Sequence, residues 1–316
     1  MEKVKVFIDG SEGTTGLRIN ERFRNRSDIE ILHIDPELRK DPAERGRLIN
    51  ESDYTFLCLP DAAAKEAVSL VSSPDTVIID ASTAHRVNPE WAYGLPELSK
   101  EHFDRIRTSK RIAVPGCYAT GFIIMAYPLV KEGILGTDYP FSIAALSGYS
   151  GAGKKAIALY EAEDKSEDLF APREYALTQM HKHLPEMKII TGLSKEPVFM
   201  PIVDDYYCGM IVNLPIHADL MKKRMSPEEL RNMLAAYYEG QKFVRVCEYG
   251  AEAELNGFLH ANSMAGKDWA NIYVTGNDDR IVVMSVFDNL GKGASGAAVE
   301  CLNISMGIDP GTGLVL

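Results

Sequence analysis

The chain has 316 residues, of which 46% are hydrophobic and 25% charged, an ordinary globular composition with length enough for two packed cores. Its net charge of −11 supplies no basic field to hold a nucleic acid or an anionic membrane, so neither is expected as a partner. No apolar run is long enough to cross a bilayer, and Met1, Glu2 and Lys3 lead straight into a strand-like stretch without a signal-peptide pattern; the cytosol is the expected compartment.

Lys3 to Ile8 alternates and is rich in Val, Phe and Ile, which predicts a strand. GSEGTTG (Gly10 to Gly16) follows at once, and Leu17, Ile19 and Phe23 then fall at helical spacing. Further strands are expected at Glu30 to Ile34, Tyr54 to Leu59, Thr76 to Ile79 and Arg111 to Val114, with a helix at Asp61 to Val71. Strand and helix in alternation predict a parallel, doubly wound α/β sheet. Beyond Cys117 the pattern changes. Strand-like runs at Phe141 to Leu146, Val198 to Val203, Met210 to Ile216, Phe243 to Cys247, Ile272 to Thr275 and Ile281 to Phe287 indicate a second, largely antiparallel sheet. Ser226, Pro227 and Glu229 signal one structural helix through an N-cap, a proline at the first position and a glutamate at the third. The small and apolar residues from Gly293 to Met306 predict a last helix that packs back on the first domain.

A glycine loop entering a helix binds phosphate because unpaired backbone N–H groups and the helix dipole both face the anion. Gly10, Gly13, Thr14, Thr15 and Gly16 are therefore the candidate cradle for a dinucleotide, although their GxxGxxG spacing differs from the usual GxGxxG. Asp35, closing the second strand, suits the ribose hydroxyls of NAD, whereas Arg39 and Lys40 suit the 2′-phosphate of NADP. These residues alone leave the two cofactors open.

The five cysteines are scattered, with no CxxC and no metal-like spacing, so disulfides and structural zinc are not expected. Cys58, Cys208, Cys247 and Cys301 sit in apolar runs and read as packed thiols. Cys117 stands apart. In PGCYATG (Pro115 to Gly121) it joins a strand end to a helix N-terminus, where partial positive charge favours thiolate over thiol. A thiolate in a chain with a nicotinamide site suggests capture of an acyl group as a thioester and its reduction to an aldehyde. The proton shuttle is expected from HKHLPE, where His181 and His183 share a face if the segment is a strand or extended loop and Glu186 orients a neighbour. The other histidines are isolated and read as structural. Ser147 and Gly148, opening SGYSGAGKK, offer a hydroxyl and a backbone N–H to an anionic substrate, and Arg86 in DASTAHR offers a bidentate fork to phosphate or carboxylate.

With GSEGTTG, DASTAHR, GLPEL, PGCYATG, SGYSGAGKK and HKHLPE in this order, the chain resembles the N-acetyl-gamma-glutamyl-phosphate reductases, specifically their shorter, second type, over nearly its whole length. The resemblance implies a Rossmann-type cofactor domain, a substrate domain like the C-terminal domain of glyceraldehyde-3-phosphate dehydrogenase, NADPH as donor and a step of arginine biosynthesis. It makes Cys117 the nucleophile and His181 or His183 the acid/base, and it brings Asn289 and Gly291 near the nicotinamide. The expected division is a dinucleotide-binding domain at 1–116, completed by 290–316, and a catalytic domain at 117–289. A small-molecule acyl phosphate is the expected substrate, and a homo-oligomer, dimer or tetramer, the expected assembly; no metal is expected. Two other readings are a sister reductase of aspartyl or aminoadipyl phosphate and a nucleotide-binding redox sensor, which has no need of an acid/base pair.

Overall fold

In a computed structural model, residues 3–316 are described; Met1 and Glu2, which belong to the start read above, lie outside them. The chain divides into two compact units, one running to Gly116 and taking in Ala294–Leu314, the other comprising Cys117–Gly293 with Val315–Leu316.

The first unit alternates strand and helix as β1 (Val4–Asp9), α1 (Thr14–Phe23), β2 (Ile29–Leu32), α2 (Pro42–Glu51), β3 (Tyr54–Leu57), α3 (Asp61–Ser69), β4 (Val77–Asp80), β5 (Ala92–Tyr93), α4 (Lys100–Thr108) and β6 (Arg111–Ala113). All pairings are parallel, in the order β2-β1-β3-β4-β6-β5. Alternation along β1 shows why both faces are covered: Val6 and Ile8 join Ile19, Phe23 and Ile106 in one core, and Phe7 joins Leu48, Ile49 and Ala64 in the other. Asp41 caps α2 by accepting from the N–H groups of Ala43 and Glu44, with Pro42 in the first turn.

The second unit contains α5 (Cys117–Lys131), β7 (Ser142–Gly148), α6 (Lys154–Tyr160), β8 (Arg173–Glu174), α7 (Leu184–Thr191), β9 (Val198–Asp204), β10 (Met210–His217), α8 (Pro227–Tyr237), β11 (Val244–Val246), β12 (Ala270–Gly276) and β13 (Arg280–Phe287). Its strands form one sheet in the order β11-β12-β13-β10-β7-β9-β8. Pairing is antiparallel except for β11 with β12 and β7 with β9. Residues of period two, among them Ile143, Val212, Leu214, Val274, Ile281 and Val283, are buried on the face that carries α5 and α8. The sequence-read cap of α8 is present as a full capping box between Ser226 and Glu229. The last helix, α9 (Gly296–Met306), belongs to the first unit, where Ala297, Ala298, Val299 and Leu302 enter the same core as Val6 and Ile8. Among the described residues no helix is long and apolar enough to cross a membrane.

Candidate active site

Cys117 is the first residue of α5 and is half-buried. The helix behind it is nearly all apolar, with Tyr118 to Ala126 buried. It is tied down twice: the Ser285 hydroxyl donates to the Gly121 carbonyl at 3.1 Å, and the Tyr238 hydroxyl to that of Ile124 at 2.7 Å. Gly121 allows this approach, since a Cβ there would lie 2.6 Å from Val212 Cγ2. A Cβ on Gly293 would lie 2.9 Å from the Cβ of Cys117, so Gly293 also shapes the ground beside the nucleophile.

The two histidines meet this helix through rings. His181 and His183 are 4.6 Å apart and T-shaped, and the Tyr118 ring lies 5.8 Å from the first and 5.9 Å from the second. Phe199 closes the cluster, 5.0 Å from His181 and 5.1 Å from Tyr118. The expected geometry of the pair is corrected here. The segment is neither a strand nor an extended loop but the turn into α7, with His183 as N-cap in right-handed helical backbone and Pro185 in the first turn. The backbone N–H of His183 donates to His181 Nδ1 at 3.1 Å. Neutral His181 therefore carries its ring proton on Nε2. His183 and Glu186, the latter in the first turn of α7, are both buried.

Tyr118 extends the cluster beyond the sequence expectation. Burial pushes its phenol well above the usual range, aided by neighbouring Tyr175 and Cys117, and its hydroxyl donates to the Ile202 carbonyl at 3.5 Å. Ser147, the last residue but one of β7, donates through its hydroxyl to the Gly148 carbonyl at 3.1 Å. Gly148 does not have the expected donor role, because its N–H is committed to the Gly209 carbonyl at 3.0 Å. Its missing side chain matters instead: a Cβ would lie 2.6 Å from the carbonyl oxygens of both Tyr206 and Tyr207. Asn289 bridges the same region, accepting from the Gly209 N–H at 2.8 Å and donating to Ser150 Oγ at 3.1 Å. Gly291 is packed so that a Cβ would lie 2.3 Å from the Lys267 carbonyl.

In the first unit, Gly10 has φ +88° and a Cβ on it would fall 2.4 Å from the Cys58 carbonyl, while one on Gly16 would fall 2.5 Å from the Gly10 carbonyl. The backbone is therefore exposed at close range where α1 begins, with Gly13 as N-cap, Thr15 in the first turn and no acidic residue there. Thr14 Oγ1 is buried at this helix end without a hydrogen-bond partner. A dinucleotide pyrophosphate fits such a cradle, which offers backbone N–H groups, a positive helix end and a hydroxyl in need of a partner. Arg39 forms an ion pair with Glu12 of the glycine loop at 2.6 Å, and Lys40 is exposed beside it. Asp35 accepts from the Glu37 N–H at 2.9 Å in a local turn. Arg86 donates through Nε to the Val114 carbonyl at 2.8 Å and through Nη2 to that of Ala81 at 3.1 Å, so it braces the chain that leads into PGC. His85 is buried, contacts Asp80 at 2.6 Å and stacks on Trp91.

Residues 117–289 match the family model "Semialdehyde dehydrogenase, dimerisation domain" and residues 4–106 match "Semialdehyde dehydrogenase, NAD binding domain". N-acetyl-gamma-glutamyl-phosphate reductase 2 of Nostoc sp. is 42% identical over 322 residues, 99% of this chain and 100% of that one. N-acetyl-gamma-glutamyl-phosphate reductase of Sinorhizobium medicae is 44% identical over 96% of this chain and 99% of its own. The chain belongs to the N-acetyl-gamma-glutamyl-phosphate reductase family. Among solved structures, aspartate semialdehyde dehydrogenase II of Vibrio cholerae complexed with ASA superposes with a TM-score of 0.72 at 15% identity, covering 97% of this chain and 99% of that one. The aspartate semialdehyde dehydrogenase of Francisella tularensis gives the same TM-score of 0.72 over 95% of this chain and 99% of its own. These likenesses show the expected fold, a Rossmann-type parallel sheet with a second domain of the glyceraldehyde-3-phosphate dehydrogenase kind.

Within this family member, sequence reasoning missed Tyr118, Tyr175, Phe199 and Gly293. Tyr118 had a signal, its place directly after the cysteine. The others had none, because their contacts to the cluster join distant parts of the chain.

Proposed function

We propose that this chain reduces N-acetyl-gamma-glutamyl phosphate to N-acetylglutamate semialdehyde with NADPH, a step of arginine biosynthesis, by way of a thioester on Cys117. The observation that carries the reading is the placement of Cys117 at the positive end of α5, directly before Tyr118, whose ring packs on both His181 and His183. The Cys117 thiolate attacks the acyl carbon, the C–S bond forms, and the C–O bond to phosphate breaks with release of inorganic phosphate. NADPH, held by the glycine loop of the first unit, would supply the hydride that reduces the acyl carbon. His181, whose ring proton sits on Nε2, lends that proton to the oxygen through a hydrogen bond as negative charge develops there and keeps it when the carbonyl re-forms, with His183 as the second candidate. Collapse of the adduct returns the thiolate and frees the aldehyde.

Gly10, Gly13, Thr14, Thr15 and Gly16 hold the pyrophosphate in this reading. Arg39 and Lys40 favour the 2′-phosphate, and Asn289 and Gly291 serve the nicotinamide side. Arg86 and Ser147 bind the departing phosphate, and Glu186 orients the histidine pair. The subunits assemble as a homo-oligomer through the second unit, whose match to a dimerisation domain and whose exposed Val198 and Met200 on β9 support that role. The test is oxidation of N-acetylglutamate semialdehyde by NADP. It should require inorganic phosphate or arsenate, and Arg86→Ala should raise the phosphate requirement more than it disturbs cofactor affinity. Steady oxidation to the free acid without either anion refutes the acyl-phosphate assignment.

A further inference from the structure

The segment from Tyr175 to His183 carries His181 from β8 to α7, and its backbone is unusual. Among the described residues, three non-glycine residues have positive φ; Ala176 at 51° and Gln179 at 58° are two of them. An L-residue resists this region because its Cβ crowds the following carbonyl, so such a conformation persists only where other contacts over-determine it. Here the contacts lie along β9. β8 pairs with β9 at Val203 and Ile202, and the Tyr175 N–H then donates to the Pro201 carbonyl at 3.1 Å. The backbone leaves the ladder at that point. The side-chain amide of Gln179 takes over: Nε2 donates to the Phe199 carbonyl at 2.8 Å, and Oε1 accepts from the Phe199 N–H at 2.9 Å. One side chain thus makes the pair of bonds that a strand neighbour makes. The residue it holds is the one whose ring packs edge-on against His181 and Tyr118, at 5.0 and 5.1 Å.

We propose that Gln179 is a positioning residue for His181, fixing the segment two residues upstream through its amide clamp on Phe199 so that the imidazole keeps one place and one tautomer. The proposal rests on the reading of His181 as the acid/base, and its test is built to separate the two. Enzyme labelled with 15N-histidine reports which ring nitrogen of His181 is protonated, with the signal assigned by its loss in His181→Asn. Wild type shows the Nε2–H form alone. Gln179→Ala and Gln179→Gly both shift His181 toward a mixture of tautomers and lower kcat roughly ten- to a hundredfold, the scale of a displaced catalytic group, with cofactor Kd unchanged. Glycine adopts positive φ without strain, so its failure to rescue shows that the amide matters and not the backbone alone. Gln179→Glu keeps the acceptor and loses the donor, and falls between. If His181→Asn turns over normally, the acid/base reading fails while the nitrogen signal still decides the role of Gln179. An unchanged His181 tautomer in both Gln179→Ala and Gln179→Gly overturns the proposal.

Discussion

Gly121→Ala sets two effects of opposite sign against each other on the helix that carries the nucleophile. Gly121 lies inside α5, where replacing glycine by alanine favours the helix by about 1 kcal/mol. The new methyl group, however, would sit 2.6 Å from Val212 Cγ2, 2.8 Å from Ser285 Oγ and 2.9 Å from Phe287 Cε1. All three neighbours are fully buried on β10 and β13, so none has room to swing away. Relief requires moving the helix off the sheet. Overpacking of this kind costs about 1–3 kcal/mol. The shift also stretches the Ser285 hydrogen bond to the Gly121 carbonyl, worth about 1 kcal/mol. Packing and hydrogen-bond losses exceed the propensity gain, leaving a net destabilisation of about 1–3 kcal/mol. Urea denaturation followed by circular dichroism reads this as a lowered midpoint with unchanged slope. A midpoint at or above that of wild type would mean that the helix–sheet gap yields freely and that the contact argument is wrong.

Brief iodoacetamide treatment followed by peptide mapping should label Cys117 first, because burial pushes the Cys58 thiol up to about 12 and raises that of Cys247, while Cys301 is fully buried. Cys117→Ser should lose turnover and keep cofactor affinity; labelling of Cys58 or Cys301 ahead of Cys117 with activity already gone counts against the assignment. Glu12→Gln removes the carboxylate that now occupies Arg39, so fluorescence titration should show NADPH binding several-fold tighter with NADH unchanged, and Arg39→Ala should weaken NADPH alone. Equal response of the two cofactors removes Arg39 from 2′-phosphate recognition. His181→Asn should cost roughly a hundredfold in kcat and flatten one limb of its pH profile, and His183→Asn should cost less; the reverse order transfers the acid/base role to His183.

The parts of the site that sequence made legible are those whose function is local. A strand, a glycine loop and a helix follow one another within Val4 to Phe23, and the turn from β6 into α5 is written in Pro115, Gly116 and Cys117 themselves. Where the reading failed, a local signal had been given the wrong structural sense. Pro185 two residues after His183 marks the first turn of a helix, and that proline decides against an extended segment. The SGYSGAGKK loop offers donors by its sequence, yet the N–H of Gly148 faces the Gly209 carbonyl across the sheet end, a partner that no spacing reveals. Asp41 and Pro42 cap the start of α2 as Ser226 and Pro227 cap that of α8, but the apolar stripe of α2 is too short to mark the helix by periodicity.

The second unit holds the two halves of its chemistry in different ways, and this decides what kind of measurement each half answers to. Cys117 begins a helix locked by Gly121 against Val212 and Phe287, by Ser285 and by Tyr238. Changes there disturb a packed core, where each lost contact appears in the free energy of unfolding. His181 sits instead on a segment of largely exposed residues, held by one glutamine amide, one backbone bond to β9 and two residues in left-handed backbone. Releasing that segment removes little buried apolar surface, so it costs little stability. What it changes is the placing of an imidazole, and a general acid is effective only while it stays within hydrogen-bond reach of the oxygen it protonates. Substitutions on α5 should therefore separate by denaturation midpoint and those between Tyr175 and His183 by rate. A variant such as Gln179→Ala that lost stability in proportion to its lost activity would place the segment in the core, contrary to its exposure.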